Sequence, residues 1–512
     1  YNIRISFVNL INIFNFYIYI KNKIKINTRS NRFVLIEVFE QTPSLISYLF
    51  FFISLNKKNN LKPILFKPTN ANIFKNRIKE FIPLSIINLY KLFFRSKKII
   101  YPNTNNIKLD KKSVKILDSI KTKKDLINLK INNIWVGDLF YDNYLRSNNL
   151  ITIDITSQIF KKEISKYIVL FLFWEKYFNL KKVSALIISH SVYLIGLPAR
   201  IAINKNIKVY LVRSSDVVAL SKKYIHAYDG YKDYPKIFSK INKKDQVQGL
   251  KIAKEELYKR LLGKSDKLTK TNQPNKISPF SSELKIEKNK NKNKNKKIKI
   301  LVATHDFNDA IHIYGKNLFT DFYEWLEYLG KFSINQDYEW LIKFHPANFD
   351  GNYDKAKNII QKYKKFKIID KFSTHNYLIK QGIDCVLTVY GSIAHEYPLM
   401  NIPVINAGNN PHYGYDFCLH PRTVKEYEYY LKNIKNIKIK RNFPKKIFEF
   451  YFMNFLTDYS PLKSLSFFYG LRKQHQIFSY FFNKKINLNE EKIIDVYTKF
   501  IKSKKRKLDT LK

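Results

Sequence analysis

Several short polar stretches carry residue types suited to a phosphate or a sugar hydroxyl, and each follows an apolar run. In the second half these are Thr304-His305-Asp306-Phe307-Asn308-Asp309, His345-Pro346, Gly391-Ser392 with Glu396, and Asn406-Ala407-Gly408. An imidazole such as His345 can donate a hydrogen bond to a phosphate oxygen and stabilise charge on a leaving group. Lys343, two residues earlier, would add positive charge on the same face. Gly391 permits close approach of backbone to ligand. Ser392 is expected to cap a helix whose free N–H groups favour a phosphate. Glu396, one turn on, is expected to accept hydrogen bonds from ribose hydroxyls. The plainer alternatives are a capping serine, a solvated glutamate and a histidine satisfied in a loop.

His305, Asp306, Asp309, His312 and Tyr314 fall within a dozen residues. Two histidines and two carboxylates invite a metal reading, yet their spacing matches no zinc signature. Phosphate or substrate contact, above all through His305 and Asp306, is the preferred expectation. In the first half, Asp138, Asp142 and Arg146 follow Ile134-Trp135-Val136, while His190 and Tyr193 follow Val183–Ser189. A hydroxyl nucleophile needs a general base within hydrogen-bond reach, and an Asp or His serves. Asp138, Asp142 and His190 are the candidates, and spacing does not choose among them.

These residues need elements that hold them. Strand-like runs at Arg32–Val38, Pro63–Phe66, Ile134–Val136, Val183–Ser189 and Ile207–Val212 alternate with helical stretches at Pro43–Leu55, Asn72–Ser96 and Ser157–Lys176. The second half repeats the alternation from Ile298 onward. Such order predicts α/β units with parallel sheets. The polar groups lie just past the carboxyl ends of strands, where open α/β sheets bind ligands. That placement favours an enzyme over a scaffold.

The expected organisation is an amino-terminal Rossmann-like unit over 1–264 and a basic low-complexity linker over 265–297. A second Rossmann-like unit follows over 298–441, and a helical segment over 442–512. The linker holds Lys288 to Lys296 in strict Lys/Asn alternation and cannot pack a core. The run Lys504–Lys507 reads as a frayed, solvated tail, with contact to an anionic membrane face as the sharper alternative.

Composition sets outer bounds. Hydrophobic residues make up 45% and aromatics 16%, too many for a disordered chain. Lys and Arg number 92 against 41 Asp and Glu, a net charge of +51. The lysines are spread along the chain, so the charge by itself names no partner. Cys385 and Cys418 cannot form a disulfide framework, and Cys385 reads as a small core residue. Reducing conditions, hence cytoplasm, fit best. The first thirty residues lack a small-residue cleavage site, and Leu45–Leu55 is too short to span a bilayer. No transmembrane helix is expected.

The series Ala303–Phe307 with Asp309, Ile342–Pro346, Tyr390–Glu396 and Ile402–Ile405 resembles bacterial capsule and lipopolysaccharide glycosyltransferases of the GT-B arrangement. Gly137–Arg146 and Ser189–Tyr193 resemble the same group. The likeness spans about residues 130–215 and 299–421. His-Pro followed by a serine-bearing turn is similar to transferases that release CMP, and also to CDP-glycerol glycerophosphotransferases. The resemblance implies a nucleotide-sugar donor held by His345, Ser392 and Glu396 on the second unit. It implies a glycan or lipid-linked acceptor on the first unit, with no cofactor, no obligatory metal and no nucleic acid. The acidic pair followed by Gly that supplies the base in sialyltransferases is lacking, with Gly137-Asp138 the nearest substitute. A nucleotide-sugar epimerase and a basic nucleic-acid-binding protein are the rivals. Binding to nucleic acid would fall steeply with salt and ignore His345 and Ser392.

Overall fold

Strands β1 (Phe33–Glu37), β2 (Lys62–Phe66) and β3 (Ile99–Ile100) begin a first sheet. A small antiparallel hairpin of β4 (Lys130–Ile131) and β5 (Ile134–Trp135) stands apart from it. The sheet resumes with β6 (Val183–Ile188), β7 (Lys208–Val212) and β8 (Val217–Leu220). Its order is β3-β2-β1-β6-β7-β8, parallel except for β8. The second sheet takes β9 (Ile298–Ala303), β10 (Tyr338–Lys343), β11 (Phe366–Ile369), β12 (Cys385–Thr388) and β13 (Val404–Asn406). It is wholly parallel in the order β11-β10-β9-β12-β13. The computed structural model describes residues 7–508 apart from 24–29, 58, 71–72, 105–108, 215, 265–278, 281–296, 346–350, 457–467, 469–473, 483–489 and 504. The Lys288–Lys296 tract and Pro346 lie outside the described residues.

The expected α/β architecture with two Rossmann-like parallel sheets is present. β1, β6, β9 and β12 are apolar because helices cover both of their faces, so no alternation is visible in them. Numbered within each unit with the hairpin left out, the first sheet follows the order 3-2-1-4-5-6 and the second 3-2-1-4-5, the doubly wound pattern. The order reverses between β1 and β6 in the first sheet and between β9 and β12 in the second. A crevice opens at such a reversal, because successive crossover helices leave to opposite faces.

Local signals account for most of the helices that brace these sheets. Ser157 caps Gln158–Leu180 by accepting from the Phe160 N–H at 3.1 Å. Pro43 sits in the first turn of Thr42–Asn56, a helix buried from Thr42 to Leu55 as expected. Among the described residues no helix is long and apolar enough to cross a membrane. Cys385 is wholly buried in β12, a small core residue.

Three expectations change. The helical stretch Asn72–Ser96 is two helices, Ile73–Phe81 and Ile86–Phe93, because Pro83 and Leu84 (φ +56°) break it. Ile134–Val136 supplies a hairpin arm rather than a strand of the main sheet, so Asp138 does not follow a sheet strand. The run near the carboxyl end does not fray: the Ala219 N–H donates to the Arg506 carbonyl at 2.7 Å, and Lys507 bridges Val218. Pairing with the antiparallel strand β8 gives this tail a partner that its composition does not reveal. The helix Glu490–Ser503 ahead of it packs on Thr42–Asn56, with the Ser54 hydroxyl donating to the Ile494 carbonyl at 3.1 Å. Phe443–Tyr451 packs instead on Lys243–Leu261, beside the second sheet. The carboxyl-terminal segment thus returns to the first unit.

Candidate functional site

At the reversal of the second sheet, three rings from three adjacent strand ends come together. His305 follows β9, His345 follows β10 and Tyr390 follows β12. The His305 ring stacks on His345 at 5.4 Å between centroids and lies 4.2 Å from Tyr390. The Asp306 carboxylate is 3.6 Å from Nδ1 of His345, whose side chain keeps 36% of its exposure. Burial, with His345 beside it, pushes the His305 imidazole down to about 3, so that ring is neutral near neutral pH. Backbone pairing sets the spacing, since the Thr304 N–H donates to the Lys343 carbonyl at 3.0 Å. His305, Asp306, His345 and the Tyr390-Gly391-Ser392 turn therefore share one crevice.

Other expected donor residues sit differently. A Cβ on Gly391 would lie 3.1 Å from the Thr388 hydroxyl and 3.3 Å from Ile393, so glycine serves close packing of the turn. Ser392 has helical backbone angles and its side chain caps nothing. The helix it was expected to open is only Ile393–Glu396 and runs straight into a 3-10 turn, too short to aim a dipole. Glu396 is fully buried and its Oε1 meets Nε of Arg260 at 2.6 Å. It braces the turn against Lys243–Leu261 instead of facing a ribose. Lys343 is also buried. Its ammonium donates to the Lys371 carbonyl, and burial lowers its pKa to about 8. The charge it was expected to add on the face of His345 is engaged elsewhere.

The reversal of the first sheet carries a second polar group. Glu37 ends β1, and its Oε2 accepts from the Ser189 N–H at 2.6 Å. Burial raises the Glu37 pKa. Nδ1 of His190 lies 2.8 Å from the Ser189 hydroxyl and its ring packs on Phe39 at 5.3 Å. Burial lowers this imidazole to about 4, aided by Arg213. Glu37 was absent from the expected set, although a carboxylate closing an apolar strand is a legible signal.

Loops from the two units meet between the sheets. The helix Gly137–Asn148 starts where a Cβ on Gly137 would lie 2.1 Å from the Leu126 carbonyl oxygen, so only glycine fits. Asp138 and Asp142 lie one turn apart on it. Asp138 is buried against Arg200, at 3.3 Å from Nη1, so the carboxylate is committed to an internal ion pair. That commitment removes Asp138 from the candidate bases. Asp142 instead faces the other unit: its Oδ1 lies 2.6 Å from Nδ1 of His312, and its Oδ2 accepts the His312 backbone N–H at 3.1 Å. Burial raises the Asp142 carboxyl, with Asp138 adding to the rise. Burial alone would lower the His312 imidazole, but the Asp142 carboxylate outweighs it and holds the imidazole above its usual value. The carboxylate thus faces Nδ1, and the buried Nε2 has no hydrogen-bond partner among the described residues. The sequence places His312 in a loop expected to touch phosphate or substrate, with metal binding as the alternative, and gives no sign of its pairing with Asp142.

Further bonds join the units at the same seam. The Tyr193 hydroxyl donates to Asp309 at 2.9 Å. Tyr141 and Thr152 both donate to Asp321 at 2.6 Å. Burial raises the Tyr390 phenol, with Tyr314, Asp309 and Asp142 adding to the rise. Arg146 is exposed on the same helix. Among the described residues no group of three or more His, Cys, Asp or Glu is placed to hold a metal ion.

No family model matches the sequence, and no curated protein matches it. Solved structures similar to the chain include a β-Kdo 2,7 transferase, KpsC of Thermosulfurimonas dismutans. It shows 17% identity and a TM-score of 0.30, covering 54% of this chain and 79% of that one. The β-Kdo 2,4 transferase KpsC of the same organism shows 12% identity and a TM-score of 0.28, covering 52% and 79%. A UDP-GlcNAc 2-epimerase from Neisseria meningitidis shows 10% identity and a TM-score of 0.21, covering 92% and 98%. Likeness of this degree carries no chemistry across, so the chemistry rests on the chain's own residues.

Proposed function

We propose that the chain is a glycosyltransferase that binds a nucleotide-sugar at the β9/β12 reversal and passes the sugar to a surface-glycan acceptor held on the first unit. One observation supports this most: His305, His345 and Tyr390 converge at the carboxyl ends of three neighbouring parallel strands. In this reading an aromatic face and a neutral imidazole flank the nucleotide. His345 donates to the donor phosphate with the backbone of Gly391-Ser392 alongside. The acceptor hydroxyl oxygen forms a bond to the anomeric carbon as the bond from that carbon to the phosphate oxygen breaks, and the electron pair leaves with the phosphate. The hydroxyl proton passes to Nε2 of His312, whose tautomer Asp142 fixes. That nitrogen is buried at the seam, so in this reading the side chains that cover it move aside for the acceptor while the Asp142–His312 contact stays closed.

A thermal-shift screen against CMP, CDP, UDP and GDP tests the donor site. Ligand bound only to the folded state adds about 2.7 kcal/mol at a hundredfold excess over Kd. At least one nucleotide should raise the midpoint; no response to any of them would remove the assignment. His345→Ala should weaken that shift and cut turnover at least roughly tenfold, with circular dichroism unchanged. Release of nucleotide that needs no acceptor would favour the epimerase reading.

A further inference from the structure

We infer that the helix Ile73–Phe81 and the outward face of the helix Phe7–Lys23, which packs on the same helix Ile86–Phe93, form a docking surface for an anionic lipid bilayer. The first of these helices has its polarity reversed. Phe74 and Phe81 are 77% and 85% exposed, and Ile78 and Ile82 are exposed with them. Three of its polar residues, Asn76, Lys79 and Glu80, turn inward. Asn76 is buried, Lys79 pairs with Glu40, and Glu80 pairs with Lys91 while accepting from the Tyr101 hydroxyl at 2.8 Å. A helix packed on a water-soluble surface has the opposite arrangement.

Phe7–Lys23 shows the same outward character. Ile13, Phe16 and Ile20 pack into the core, while Leu10, Phe14 and Ile18 recur every four residues on an exposed stripe. Both helices border Ile86–Phe93. Charge decides the occupant. The acid on the reversed helix, Glu80, is neutralised inside, whereas Lys75 and Arg77 are exposed beside the phenylalanines. Arg95, Lys97 and Lys98 are exposed just beyond Ile86–Phe93. Large apolar side chains flanked by basic ones, with the acid of the reversed helix withdrawn, fit the boundary between acyl chains and anionic headgroups. A protein partner of ordinary surface would leave those cations unmatched. This surface lies away from the carboxyl-terminal basic run and does not depend on the donor-site reading.

Co-sedimentation of the full chain with vesicles tests it. Vesicles of equal phosphatidylcholine and phosphatidylglycerol should pull the chain down, phosphatidylcholine alone should do so less, and added salt should weaken the anionic component. Phe74→Ser with Phe81→Ser should lower binding at least about tenfold. The doubly substituted chain should keep its dichroism spectrum and its nucleotide-induced thermal shift, because both side chains are exposed. Vesicle binding that this chain retains in full would overturn the proposal, as would no binding to either vesicle. A dimer in sedimentation velocity that the double substitution breaks would also overturn it, assigning the face to a second copy.

Discussion

Asp142→Asn should leave nucleotide binding in place and lower kcat by about 10²–10⁴-fold, the usual contribution of a positioned base. In the native chain the Asp142 carboxylate lies 2.6 Å from Nδ1 of His312 and accepts its backbone N–H at 3.1 Å. In the proposed mechanism the carboxylate takes the Nδ1 proton and leaves Nε2 as the basic nitrogen. An asparagine amide can instead donate to Nδ1, which forces the proton onto Nε2 and removes the lone pair needed for the acceptor hydroxyl. The change is nearly isosteric, so packing at the seam survives. His312→Gln should give a loss of the same order, and the two together little more than either alone, because they act as one unit. Single-turnover rates with a fixed donor, set beside the nucleotide-induced thermal shift, separate chemistry from binding. An unchanged kcat in Asp142→Asn takes the pair out of the mechanism and leaves His190 as the remaining expected base.

The second large effect concerns stability. Glu396→Ala should cost about 3–5 kcal/mol, because it leaves the Arg260 guanidinium buried without its counter-charge. Both side chains are fully buried and meet at 2.6 Å. The contact joins the turn after β12 to the helix Lys243–Leu261, so its loss should also loosen Tyr390-Gly391-Ser392. Replacing both residues by apolar ones of similar volume, Arg260→Met with Glu396→Leu, should recover most of the loss, since no buried charge is then stranded. Urea midpoints for the single and double substitutions, followed through the second unit, provide the check. A single substitution as stable as the native chain would show that the pair contributes nothing net. Were Glu396 a ribose ligand instead, Glu396→Ala would weaken nucleotide binding while leaving the midpoint unchanged.

The comparison of these two carboxylates shows how far local pattern reaches. Glu396 was expected to serve a ligand because it sits one turn past a glycine-serine break, and Asp142 because it follows the apolar run Ile134-Trp135-Val136. Both inferences used position along the chain, which local sequence does encode. Neither could use the partner. Arg260 lies 136 residues before Glu396, and His312 lies 170 residues after Asp142. Lys343 fails for the same reason, because the carbonyl that takes its ammonium belongs to Lys371 on a neighbouring connection.

By itself the sequence determined the alternation of buried strands and covering helices, the two α/β halves, and the polar residues that terminate the strands. Those properties follow from hydrophobic burial and chain geometry acting over a few residues, so they are written locally. Only the tertiary structure decided the strand order of the sheets, 3-2-1-4-5-6 in the first and 3-2-1-4-5 in the second, the latter bringing the ends of β9, β10 and β12 side by side. It also decided which charges are neutralised inside, at Arg200 and Arg260, and which face the seam, at Asp142 and His312. The reason is physical: the stability of a buried charge depends on a counter-charge within a few ångströms, and the fold, not the local pattern, sets that distance.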